Sequence, residues 1–178
     1  YNLTKNAINN LRAVGIATVC ASGNEYSCSG IVAPGCISSA IAVGATTKAD
    51  QETSFSNWNH NLLELFAPGE AIRSSTGSGN TSYDSWNGTS MASPHVAGAW
   101  ALFKQFSNSG VSEVLNAFED SGKMITTRCS GSQKKPRIDV GMAIMKLLKI
   151  APPLNLEGET QKNYSLMQTE YINILTWE

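Results

Sequence analysis

Ser90 stands in the run Asn87-Gly88-Thr89-Ser90-Met91-Ala92-Ser93-Pro94-His95-Val96-Ala97-Gly98, between two glycine-bearing turns. Small and apolar residues follow as far as Phe103. The run predicts a helix buried on most sides and entered through a tight turn. Ser90 therefore sits at a helix N-terminus, where unpaired backbone N–H groups and the positive end of the dipole favour a developing negative charge. That place suits a nucleophilic hydroxyl whose substrate becomes an oxyanion. Such a hydroxyl also needs a base to take its proton. His95 cannot be that base, because five helical positions at about 100° each carry it about 140° around from Ser90. Its expected role is a structural hydrogen bond. His60 lies among the polar residues Asn57-Trp58-Asn59-His60-Asn61 and is expected in solvent; the chain has no other histidine.

Asn24 is the second position of interest. It follows Ala21-Ser22-Gly23 at the end of an apolar run. A side-chain amide held rigidly there can donate toward a carbonyl oxygen as it becomes an oxyanion, which is what acyl transfer requires. The backbone N–H of Ser90 would be the second donor.

These positions need elements to hold them. Leu3, Ala7, Ile8, Leu11 and Val14 recur at helical spacing, and Gly15 follows as a stop signal. The run 16–21 reads as a strand buried on both faces. Helix, glycine turn and apolar strand form half of a βαβ unit, so the expected fold class is α/β, a parallel sheet flanked by helices on both faces. Further strands are expected at 39–45, 62–66 and 71–74. The segment 75–87, rich in Ser, Thr, Gly and Asn, reads as an exposed loop delivering the chain to Ser90. Ser112 is the expected N-cap of a helix with Val114, Leu115 and Phe118 on its apolar face, ended by Gly122. An extended segment at 134–140 leads to a closing helix through Met142, Ile144, Met145, Leu147 and Leu148, with Asp139 as its cap.

At 178 residues, 42% hydrophobic and 15% charged, the chain can build a packed core. Its net charge of −1 gives no reason to expect a nucleic acid or an anionic membrane as partner. No apolar run approaches the roughly 20 residues that span a bilayer. Four cysteines allow three complete pairings. Cys28 and Cys36 bracket a short loop and are the preferred pair, while Cys20 is expected buried and free, or joined to Cys129. Cysteine usage leans extracellular. No Cys-x-x-Cys or histidine spacing suggests a metal, and no metal ligand is expected.

The serine run resembles the serine motif of the subtilisin-like (subtilase) serine proteases almost residue for residue, and Ala21-Ser22-Gly23-Asn24 resembles that family's oxyanion-asparagine motif. The likeness extends from about Thr4 to Leu148. It implies Ser90 as nucleophile, Asn24 as oxyanion donor, and Ala21, Ser22 and Gly23 as one wall of the primary specificity pocket, with 31–34 near its floor. In subtilases the triad runs Asp, His, Ser along the chain, so the aspartate and histidine would lie before Tyr1. The resemblance thus implies residues 1–150 as the C-terminal part of a catalytic domain, inactive without its N-terminal half. It further implies a polypeptide substrate, an inhibitory propeptide as partner, secretion, and no cofactor. Subtilases often bind structural calcium, but no acidic loop here compels a site.

Composition changes at Ala151-Pro152-Pro153. Residues 151–178 read as a linker and the start of an accessory β-module, with a tail that resembles the opening strands of a fibronectin type III module. Two rival readings remain. An α/β-hydrolase would need Gly-x-Ser-x-Gly, but Ala92 stands two after Ser90 and no histidine follows His95. The other rival is a pseudoprotease or adhesive module, decided by whether the upstream aspartate and histidine motifs exist.

Overall fold

The computed structural model describes residues 2–149 apart from Ser78 and Ser130. The expected β-module at 151–178 lies outside the described residues. Helix α1 (Asn2–Ala13) leads into β1 (Val19–Ala21), β2 (Ile41–Thr46), β3 (Leu63–Pro68), β4 (Ile72–Ser75) and β5 (Tyr83–Trp86). The serine helix α2 (Thr89–Phe106), α3 (Val111–Ser121), β6 (Lys123–Thr126), β7 (Lys134–Arg137) and α4 (Val140–Leu147) follow.

Five strands form one sheet in the order β1-β2-β3-β7-β6. It is parallel except for β6, which pairs antiparallel with β7. Every residue of β2 is buried, as a central parallel strand covered on both faces should be. Ile41, Val43, Ala45, Leu65 and Ala67 pack against Ala92, Val96, Ala99 and Phe103 of α2 and Val114 and Phe118 of α3. Ala42, Leu63 and Phe66 turn the other way, against Ile31, Trp58 and Ile125. Ile8 of α1 packs there with Cys20, Ile37 and Ala40. The expected α/β architecture is present.

Several local expectations need correction. The segment 75–87 is not simply a loop: β5 pairs antiparallel with β4, and the ribbon is exposed along most of its length. Its alternation is polar, so apolar periodicity could not show it. Strand β6 escaped notice for the same reason, since only Ile125 of its residues is buried. Helix α3 starts at Val111 behind Gly110, not behind Ser112. The Glu113 carboxylate accepts the Gly110 N–H at 2.8 Å, which satisfies a first-turn donor from inside the helix. Asp139 does cap α4, accepting from the Met142 N–H at 2.9 Å.

Helix α1 buries only Ile8 and leaves Leu3 85% exposed, and Val14 just beyond its end is 71% exposed. Strand β1 is shorter than the apolar run 16–21, with Val19 and Ala21 only half-buried. Helix α2 likewise is not buried on most sides, because Pro94, Ala97, Gly98 and Ala101 form an exposed outer face.

The disulfide joins Cys28 to Cys129, not to Cys36. Cys36 keeps its thiol, as does the buried Cys20, whose burial pushes that thiol above its ordinary pKa. Sequence proximity favoured Cys36, but the sheet brings Cys28 and Cys129 to a Cα separation of 5.4 Å, within disulfide range.

Candidate active site

The C-terminal edge of the sheet brings two distant segments together. Asn24 follows β1, and Ser90 is the second residue of α2. Both are exposed, while Thr89 between Gly88 and Ser90 is completely buried. Thr89 fastens the two segments: its N–H and its hydroxyl both donate to Asn24 Oδ1, at 2.9 and 3.0 Å. Its hydroxyl oxygen in turn accepts the Gly23 N–H at 3.1 Å. Because two donors converge on one atom of the Asn24 amide, that atom must be the oxygen. The Nδ2 end is therefore the one left facing outward.

Gly88 shows where it faces. A side-chain carbon built at residue 88 would lie 3.6 Å from Asn24 Nδ2 and 3.7 Å from the Ser90 nitrogen. Two N–H donors from different segments thus border one small space, which glycine leaves open. In the first turn of α2, the Thr89 N–H is taken by Asn24 and the Met91 N–H by the Gly88 carbonyl. The Ser90 N–H between them has no acceptor among the described residues.

Position 23 is also constrained. Gly23 has φ of 107°, a conformation that suits glycine. A Cβ there would strike the Asn57 side-chain amide and come within 2.5 Å of the Glu25 carboxylate. Asn57, buried beneath this turn, accepts the N–H groups of Glu25 and Ser27 at 3.0 Å each and donates to Glu25 Oε2 at 2.5 Å. Thr89 and Asn57 are the residues sequence reasoning missed. The only sequence signal for Thr89 was its place beside the serine, and Asn57 carried none.

Ser22 and Gly23 are buried and Ala21 half-buried. The segment 31–35 abuts them: the Val32 N–H donates to the Ser22 carbonyl at 3.0 Å, and Gly35 lies against the Ala21 carbonyl. His95 is placed as expected, with Nδ1 2.8 Å from the Met91 carbonyl oxygen. His60 is exposed near Trp58. Among the described residues the Ser90 hydroxyl has no hydrogen-bond partner, and no three His, Cys, Asp or Glu side chains gather as a metal would need.

Pro94 leaves the Ser90 carbonyl without its regular i+4 helical donor, and the Ser93 hydroxyl reaches that carbonyl at 3.5 Å.

The subtilase family profile matches residues 2–133. An extracellular serine proteinase of Thermus is 44% identical over 101 residues, covering 57% of this chain and 23% of the relative. An extracellular protease of Xanthomonas campestris is 38% identical over 135 residues, covering 71% and 23%. Among solved structures, a protease of Pseudoalteromonas arctica superposes with a TM-score of 0.72 at 28% identity, over 80% of this chain and 46% of that one. The chain spans about a quarter of the length of these two sequence relatives.

Proposed function

Because the chain belongs to the subtilase family, we propose that it is the serine- and oxyanion-bearing part of a secreted serine endopeptidase. The observation that carries this reading is the Thr89 clamp, which fixes Asn24 by its oxygen and leaves Nδ2 and the Ser90 N–H bordering one space. Preorganised donors of this kind stabilise a developing oxyanion without having to reorient during the reaction.

In the proposed reaction Ser90 Oγ attacks a peptide carbonyl carbon while its proton passes to a histidine supplied by a segment outside this chain. The carbonyl oxygen takes the electron pair and accepts from Asn24 Nδ2 and the Ser90 N–H. Collapse re-forms the carbonyl and expels the amine, which leaves with the proton. Water then repeats the sequence on the acyl-enzyme and restores Ser90. Ala21, Ser22 and Gly23 form the wall beside the substrate side chain.

Two features support a further part of the domain docking here. Among the described residues strand β1 ends the sheet with one edge unpaired, and the outer face of α2 presents the small or compact residues Pro94, Ala97, Gly98 and Ala101. Both would accept another element at close range. The names of the relatives and the cross-linked cysteines support secretion.

The test is Asn24→Ala in a protein that includes the upstream segment. Turnover should fall far more than KM rises; a pure binding defect would sink the oxyanion role. Peptide hydrolysis by the 178-residue chain alone, abolished by Ser90→Ala, would overturn the claim that the base comes from elsewhere.

A further inference from the structure

Next along the same sheet edge, a cleft of about 530 Å³ opens between the β4–β5 ribbon and the loop after β2. Lys48, Asp50, Arg73, Ser85 and Arg137 line it. We propose that this cleft is a subsite for acidic side chains of a bound polypeptide, on the flank remote from the wall of Ala21, Ser22 and Gly23. The proposal rests on the protease reading for what the polypeptide is.

Charge carries the argument. Three cations face one carboxylate in a chain whose net charge is −1. That carboxylate is already neutralised, since Asp50 is paired with Arg137 at 2.6 Å and with Lys123 at 2.8 Å. Lys48 and Arg73 have no ion-pair partner among the described residues. The nearest acid on the ribbon is turned away: Arg73 pairs with Ser85 and Ser74 with Asp84, so Asp84 projects from the opposite face. Its oxygens accept instead from the Ser85 N–H and Trp86 Nε1.

Arg73 is also held in place. Its guanidinium lies over the Tyr83 ring, 5.7 Å from the ring centre, a cation–π contact that uses no N–H donor, so its N–H groups remain to fork a carboxylate. Two of the four described non-glycine residues with positive φ line the cleft, Asp50 at 57° and Ala71 at 53°. Backbone strain of that kind persists where the surroundings enforce it and gathers at functional sites. The Ala71 N–H donates to Asn87 Oδ1 at 2.6 Å, which ties the cleft wall to the turn that presents Ser90.

A free carboxylate therefore meets two unspent cations in a cleft whose wall is bonded to the turn that presents Ser90. A few cations around one cleft suit a carboxylate pair in a peptide better than the long phosphate track of a nucleic acid, which needs a stripe.

The experiment measures fluorescence anisotropy of labelled tetraglutamate, tetraglutamine and tetralysine peptides with the full chain carrying Ser90→Ala, at low and high salt. Tetraglutamate alone should bind, and added salt should weaken it. Arg73→Glu and Lys48→Glu should each lower its affinity roughly threefold to tenfold, while Lys5→Glu on α1 leaves it unchanged. Equal binding of tetraglutamine, indifference to both reversals, or equal displacement by a short oligonucleotide would overturn the proposal. Hydrolysis of a neutral peptide by the protein with its upstream segment is the separate control, and Lys5→Glu should leave it unchanged. Its failure counts against the protease reading, whereas intact hydrolysis with unaltered tetraglutamate binding in both reversals counts against the subsite.

Discussion

Thr89 grips Asn24 twice through one atom, with N–H and hydroxyl both donating to Oδ1 at 2.9 and 3.0 Å. Thr89→Val keeps the shape and removes the hydroxyl. It strands the Gly23 N–H, which donated to that oxygen. One buried unsatisfied donor costs about 1–3 kcal/mol, so the denaturation midpoint should fall. In a protein with the upstream segment, kcat should fall more than KM changes, and Thr89→Ser should restore most of both. Unchanged kcat in Thr89→Val would show that Asn24 needs no clamp.

Asn24→Ala removes one of the two donors bordering the space beside Gly88. Removing the corresponding donor in a subtilisin costs roughly 10²–10³ in turnover, and a loss of that order is expected. Steady-state kinetics on a neutral peptide would check it.

Gly23→Ala and Gly98→Ala should have opposite signs. At 23 the backbone is left-handed and a Cβ meets the Asn57 amide and the Glu25 carboxylate. A loss of about 1–3 kcal/mol is expected from the backbone conformation alone. At 98, inside α2, nothing lies within 4 Å of the new carbon, and a gain of about 0.5–1 kcal/mol follows from the smaller entropy of the unfolded chain. Guanidinium unfolding of the two variants decides the contrast.

The Cys28–Cys129 bridge closes a loop across a sequence separation of 101. On a chain-entropy account a loop near that length is worth about 4.7 kcal/mol, with about 2–5 typical of native bridges. Cys28→Ser should therefore lower the unfolding midpoint strongly and Cys36→Ser much less. A non-reduced digest should yield the peptide joining 28 to 129.

Glu64 on β3 and Glu119 on α3 both have pKa values raised above the ordinary 4.5. Burial is the main cause for each. Lys135 and Arg12 oppose it at Glu64, while the Glu64 charge reinforces it at Glu119. A carboxyl with a raised folded pKa holds its proton longer in the native state, so it favours folding less as pH rises above the unfolded value. Glu64→Gln should thus gain stability relative to wild type at pH 8 and show no such gain at pH 4. The same difference at both pH values would dismiss the linkage.

The parts legible in the sequence were those fixed by local chemistry. Ser90 at the mouth of a small-residue helix and Asn24 at the end of an apolar strand declare themselves through their neighbours. The bridge between Cys28 and Cys129 does not, because only the folded sheet places them together. Strands β5 and β6 lack apolar alternation, having almost no buried side to record. The apolar spacing of α1 predicts the helix that is present, yet only Ile8 in it is buried, because periodicity gives a face but not what covers it. Asn57 gave no signal because its three side-chain hydrogen bonds go to Glu25 and Ser27, about 30 positions away.

The bridge has one more consequence. Everything from the turn after Asn24 to the end of β6, including Ser90 and the ribbon that precedes it, lies within a single covalent ring. The exposed bend between β4 and β5 is inside that ring. A chain cut at that bend still has its two pieces linked. Such a cut chain would run as two fragments only after reduction.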